Sequence, residues 1–437
     1  MNHAGAKESP YISLLKKELV TAMGCTEPSA AALAAASARV ALGTEPAHIV
    51  IRASRDIIKN AMHVGIPNSE MKGIKAAVAM GIACGDASKG LNILSGLEPE
   101  TELHARRLLE SNAMELELAE NVPPLFIEIR LTTGKRRAGA RIVHDHTNLE
   151  RIGADEWDRD FTCEMDDLKS TMPKLDLPGI VAFASAVPAE EIDFLVDGAL
   201  INMELAEHSL KAGYGICVGK ITFESYGAVQ GNERPTIDYL FRKGASLAAA
   251  GSDARMAGCP MPVVINSGSG NQGITISVPI LILAQGLHCS REETARALCL
   301  AHLVALMMTF YKDRLSALCG AFTASIGTAA GYIRLLGGSY VETNRCIDIM
   351  VANLTGLLCD GAKGSCALKI YSCLDGAALA VKLAMAGSSV SSGDGIVGYS
   401  QEETMLALEK ISHEGMIPLD KTVLSVMLNK GVKQATE

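Results

Sequence analysis

Apolar positions along this chain recur mostly at intervals of three and four, and they alternate clearly in one region only. The helical period runs through Ser29 to Ala41, Thr236 to Ala250, Glu292 to Phe310, Ser316 to Leu336 and Ala367 to Ala386. Several of these segments are apolar almost all round, as helices buried in the middle of a large helical domain are. Strand signals are confined to residues 48–54, 124–134 and 135–143. The last two alternate on either side of Thr133-Gly134, which predicts a hairpin with the glycine in its turn. Helical patterns at Met71 to Cys84 and Glu100 to Ala113 lie between the first strand and this hairpin. The predicted fold is α+β: a large all-helical domain from residues 1–44 and 156–437, with a smaller α/β domain inserted at 45–155.

Composition narrows the function classes. With 437 residues, 48% hydrophobic and 20% charged, the chain can bury a large core. A net charge of -9, with Lys and Arg scattered and no basic stripe, argues against nucleic-acid binding and leaves small molecules as the expected partners. The polar N-terminal segment lacks the continuous apolar stretch of an export signal, so a cytoplasmic location is expected. Ile274 to Leu287 and Ala297 to Tyr311 are shorter than the ~20 residues of a membrane span, and the second carries His302. They read as buried helices, and no membrane association is expected. A homo-oligomer is left open. Twelve cysteines in such a chain are not expected to form a disulfide framework, and most should be core residues.

Three places could carry chemistry. Cys25, in Gly24-Cys25-Thr26-Glu27-Pro28, precedes a helix, with Thr26 as the expected N-cap and Pro28 in the first turn. There the thiolate would be favoured, and Cys25 could be a ligand, a base, a nucleophile or a packing residue. The loop Asn266-Ser267-Gly268-Ser269-Gly270-Asn271-Gln272-Gly273 leads into a helical segment, so its N–H groups could cradle a carboxylate or phosphate, or only make a tight turn. Cys319, Cys359 and Cys366 form the third set. Gly361 and Gly364 lie between the last two and permit a sharp turn, and three thiolates from two segments suit an iron–sulfur cluster better than zinc. Cys373, seven residues after Cys366, is a rival ligand or a core residue.

Five segments together resemble one family: residues 24–28, Ser252-Asp253-Ala254-Arg255-Met256, 266–273, Arg314 to Cys319, and Cys359-Asp360-Gly361-Ala362 with Cys366. They look like the iron–sulfur L-cysteine desulfidases, related to the catalytic chain of iron–sulfur L-serine dehydratases. The resemblance implies that the helical domain is catalytic. It implies a [4Fe–4S] cluster on Cys319, Cys359 and Cys366, with one iron free of protein thiolate to act as Lewis acid. It implies β-elimination from a small L-amino acid, giving pyruvate, ammonia and, from L-cysteine, sulfide. Cys25 is then the general base or a displaceable fourth ligand, with a low pKa expected. Ser267, Gly268, Ser269, Asn271 and Gln272 would cradle the substrate carboxylate, while Arg255 and Asp253 could be bracing residues.

Two segments depart from the family pattern, residues 64–70 and His144-Asp145-His146-Thr147-Asn148. They bear on substrate choice and could close over the substrate. Asn60 and His146 are expected at the substrate, and His63 and His146 are candidate acid–base groups. Lys363 could neutralise cluster charge or be solvated. The alternatives are L-serine dehydration by the same mechanism, a pyridoxal-phosphate lyase with the 267–273 loop as phosphate cup, and a non-catalytic binding protein.

Overall fold

The computed structural model describes residues 8–67, 69–152, 174–226 and 235–434; the expected domain boundary at 155/156 and Asn68 lie outside them. The helices are α1 (Pro10–Glu18), α2 (Thr26–Leu42), α3 (Arg55–Ala61), α4 (Ile74–Cys84), α5 (Pro99–Glu110), α6 (Leu177–Ala186), α7 (Phe194–Ala212) and α8 (Val218–Ser225). There follow α9 (Ile237–Met256), α10 (Gly270–Gly286), α11 (Arg291–Lys312), α12 (Gly320–Leu335), α13 (Tyr340–Leu354), α14 (Cys366–Met385), α15 (Gln401–Lys410) and α16 (Met416–Gln434). The strands are β1 (Thr21–Met23), β2 (His48–Ala53), β3 (Met114–Leu118), β4 (Phe126–Thr133), β5 (Arg136–Val143), β6 (Leu149–Ile152) and β7 (Pro262–Val264). The fold is α+β, mostly helical.

Five strands form one mixed sheet in the order β3-β2-β4-β5-β6, parallel between β2 and β3 and antiparallel elsewhere. The hairpin expected around Thr133-Gly134 is β4–β5, and Gly134 takes the left-handed φ of 55° that its turn requires. Strand signals are not confined to three segments, however. β3 and β6 extend the sheet on both sides, and β1 pairs with β7 apart from it.

α2 and α4 cover the sheet, and their alanines share a core with Ile49, Ile51, Ile127 and Ile129. The two helices approach closely because Gly81 has no side chain: a Cβ there would stand 2.1 Å from the Ala32 carbonyl oxygen. A second, larger core unites α9 to α14 with α6 and α7. α11 sits inside it. By length and composition this helix could cross a membrane, but 94% of its most apolar window is buried within the protein, which makes it a core helix.

Candidate functional site

The cysteine set is built by an exchange between two extended segments. Leu318 bridges Leu358, Cys319 N–H donates to Leu357 O at 3.0 Å, and Cys359 N–H donates to Ala317 O at 2.6 Å. The helical pattern that began at Ser316 therefore starts only at Gly320, with Cys319 as the extended N-cap of α12. The exchange brings the Cys319 and Cys359 thiols side by side. Cys319, with Lys59 and Lys312 nearby, brings Cys359 down to about 5, while Cys359 and burial push Cys319 up. Cys366 opens α14 and lies close enough to Cys359 for their charges to interact; burial raises its own thiol. Cys373 is fully buried near Cys319, and burial pushes it to about 12 against a bond to Ser325.

Four lysines surround this set. Lys59 is buried with Nζ 2.6 Å from Asp420 and 3.5 Å from Asp56, and Cys359 and these carboxylates hold its ammonium against the pull of burial. Lys312, equally buried, donates to Asp313 O at 2.9 Å. Burial lowers its pKa, against Cys359 and Cys319. Lys363 and Lys369 both engage Asp360 beside Cys359, so Lys363 is part of this charged ring. Among the described residues no three His, Cys, Asp or Glu side chains close tightly around one point as ligands of a single ion do. The donor chemistry fits a larger anionic group: three cysteines within a shell of lysines, two of them taken out of water at a cost that a facing anion offsets.

Cys25 lies on the other side of Cys366, in a small apolar cluster with Val64, Met256, Ala362 and Cys366. Cys25, not Thr26, is the N-cap of α2, and it makes no side-chain cap. Its thiol donates to Glu27 Oε2 at 3.0 Å. The expected low pKa is not found: burial, and the Glu27 carboxylate after it, push the thiol well above its ordinary range, and Arg255 only partly offsets them. A helix N-terminus favours a thiolate, but an anion in direct contact outweighs that partial charge. Thr26 donates to Glu27 Oε2 at 3.1 Å or to Gly268 O at the same distance, and Asn60 Nδ2 donates to Glu27 Oε1 at 3.2 Å. Glu27 and Asn60 thus organise the cysteine. Burial raises the Glu27 carboxyl, but His146, the thiol and Arg255 keep it below the usual carboxylate range.

The glycine-rich loop touches both neighbourhoods, with Gly268 O 3.1 Å from Thr26 Oγ1 and Gln272 against Gly320, next to Cys319. Asn266 and Ser269 bond to each other through both backbone groups, and Ser267 and Gly268 between them have φ of 51° and 76°, a type I′ turn. Ser267 Oγ donates to Asn266 Oδ1 at 2.7 Å and contacts Thr309 at 3.1 Å. Ser269 is the N-cap of α10 without a side-chain cap. Asn271 Oδ1 accepts from Arg255 Nη1 and Gln272 Oε1 from Thr323 Oγ1, so both side chains are tied to protein groups. Gln272 also packs on Gly320, where a Cβ would come within 2.9 Å of it. Arg255, whose Nε donates to Gly24 O at 3.2 Å, braces the loop against the Cys25 segment. Asp253 receives the N–H groups that open α8, and burial raises it to about 6.

Two further groups reach the turn at Gly268. Arg314 Nη1 and His146 Cε1 would each stand 3.7 Å from a Cβ placed there, and Arg314 pairs with the buried Glu18. His146 Nε2 is shielded from water and has no hydrogen-bond partner among the described residues. Burial pushes this ring below its ordinary range, against Glu27 and Asp145. His63 is exposed. Glu27, Arg314, Lys59 and Lys312 were not singled out from sequence; the first stands two residues after Cys25 and the third just before Asn60.

Beneath the loop, His302 Nδ1 meets Asn266 Nδ2 at 3.1 Å, and burial pushes this ring down to about 3. Its folded pKa lies below the unfolded value of 6.5, so its contribution to stability is complete above pH 6.5 and lost as pH falls toward 3. Between about pH 6.5 and pH 5 this one group should remove about 2 kcal/mol. Urea unfolding over that range should show a shallower acid slope for His302→Gln, by close to one proton; an unchanged slope would mean that the ring titrates normally.

The family model described as serine dehydratase alpha chain matches residues 134–425. A UPF0597 protein of Oleidesulfovibrio alaskensis is 37% identical over 426 residues, covering 97% of this chain and 98% of the relative. A UPF0597 protein of Phocaeicola vulgatus is 38% identical over 433 residues, covering 98% and 99%.

Proposed function

The chain belongs to the serine dehydratase alpha-chain family, and from that membership we propose that it is an iron–sulfur lyase that eliminates the β-substituent of a small L-amino acid. L-Cysteine is the first choice of substrate, giving pyruvate, ammonia and sulfide; L-serine is the second. The observation that carries the reading is the pairing of Cys319 with Cys359, with Cys366 at its edge and a lysine shell around it, within one side-chain layer of Cys25.

A [4Fe–4S] cluster held by Cys319, Cys359 and Cys366 would supply a Lewis-acidic iron for the leaving β-substituent. Lys59, Lys312, Lys363 and Lys369 balance the negative charge of the three thiolates. Cys25 takes the Cα proton, with Sγ oriented by its 3.0 Å hydrogen bond to Glu27. The Glu27 charge favours the thiol, so Sγ accepts the Cα proton only after its own proton has left to solvent, a loss promoted when that charge is offset in the substrate complex. The turn at Ser267-Gly268 and the uncapped start of α10 present N–H groups to the substrate carboxylate, with Arg314 beside them. Loss of the Cα proton and the β-substituent leaves an enamine, which hydrolyses to pyruvate and ammonia.

Anaerobic protein should contain iron and inorganic sulfide and release pyruvate from L-cysteine faster than from L-serine, with sulfide matching pyruvate in the first case. Colourless, iron-free protein that forms pyruvate from neither would overturn the reading. Pyruvate from L-serine alone would keep the mechanism and change the substrate.

A further inference from the structure

We propose that Glu27 binds the α-ammonium group of the substrate, so that the site grips an amino acid by its two charged ends. The proposal rests on the amino-acid lyase reading above and names the residue that makes the site select an amino acid over a simple carboxylic acid.

Glu27 is 8% exposed, and its hydrogen-bond donors are a thiol, a hydroxyl and an amide, all neutral. Arg255, the nearby arginine, directs Nε to the Gly24 carbonyl and Nη1 to Asn271. A buried carboxylate is ordinarily matched by a cation in direct contact, because neutral donors recover only part of its lost hydration, and His146 and Arg255 act on Glu27 through space without bonding it. Among the described residues Oε1 accepts from Asn60 alone, and a carboxylate offers about four acceptor positions, so capacity for an ammonium remains. An ammonium is compact and carries three donors, which suits a carboxylate already ringed by other groups.

The opposite end of the site has the opposite polarity. Arg314, the Ser267-Gly268 turn and the uncapped α10 N-terminus all favour an anion. The two ends are neighbours, since Thr26 Oγ1 lies 3.1 Å from both Glu27 Oε2 and the Gly268 carbonyl oxygen. A carboxylate next to an anion-favouring turn offers opposite charges at adjacent positions to the two ends of an α-amino acid. His146, its Nε2 without a partner beside the same turn, adds a polar group at the positive end.

The test is calorimetry on anaerobic holoprotein with two ligands that lack a leaving group: L-alanine, which has the ammonium, and propionate, which does not. Wild-type protein should bind L-alanine about 10- to 100-fold more tightly than propionate, the strength of a hydrogen-bonded charge. Glu27→Gln should abolish that preference by weakening L-alanine alone, and Glu27→Asp should restore part of it. Equal weakening of both ligands would reduce Glu27 to a brace for Cys25 and overturn the proposal. So would wild-type protein that binds propionate as tightly as L-alanine, a result independent of how any variant folds. A preference governed by Glu27 without pyruvate formation would sink the lyase reading alone, whereas pyruvate formation with a preference indifferent to Glu27 would sink only this inference.

Discussion

Cys25→Ala should keep most of its iron while turnover per iron falls by about 10²–10⁴-fold, the range that a positioned base contributes. The variant removes a thiol that packs against Cys366 but is not one of the two cysteines on the Leu318–Leu358 bridge. Cys319→Ala should behave differently, losing iron and activity together, because it removes one of the three proposed thiolate ligands. Iron per chain and turnover per iron, measured side by side on anaerobic preparations, separate three roles. Near-normal turnover per iron in Cys25→Ala would make Cys25 a packing residue, as its burial would suffice to explain. Equal iron loss in both variants would make it an ordinary fourth ligand. Only retained iron with lost turnover supports the base.

The helices were legible where local pattern and tertiary packing agree. Periodicity over Glu292 to Phe310 and Ala367 to Ala386 differs from α11 and α14 by no more than two residues at either end, since no competing interaction redirects those backbones. It failed at Ser316 to Cys319, where a helix-like pattern is held extended by the bridge from Leu318 to Leu358, forty residues away in sequence. β3 failed for a related reason: Met114-Glu115-Leu116-Glu117-Leu118 consists of helix formers, and only parallel pairing with β2 makes it a strand. At the site, the spacing of Gly361 and Gly364 announced a turn between two cysteines, and Cys25 announced a helix start. The sequence does not show that the Glu27 side chain folds back onto the Cys25 thiol, nor that Asn271 is tied to Arg255. Those are choices of side-chain direction, made by the packing of α2 against the glycine-rich loop.

Gly361 is the position where one added carbon should cost the protein its iron. Gly361 has φ of 91°, a left-handed conformation that strains any residue with a Cβ. A Cβ there would also lie 2.1 Å from the carbonyl oxygen of Lys59, a backbone atom of α3 that cannot swing away as a side-chain end could. Lys59 is in turn anchored by Asp56 on its own helix and Asp420 on α16, so α3 is poorly able to retreat. The turn carrying Cys359 and Cys366 must therefore move. Strained φ and overpacking together should destabilise Gly361→Ala by about 2–5 kcal/mol. Iron per chain should fall severalfold while far-UV circular dichroism stays near wild type. Gly364→Ala is the matched control: the nearest neighbour of its added Cβ is Ile216 Cγ2 at 3.8 Å, an ordinary contact. It adds the same carbon to the same turn and should retain its iron. Full iron in Gly361→Ala would show that the turn can leave α3 without losing the cluster, and the proposed role of this contact in holding Cys359 and Cys366 together would fall with it.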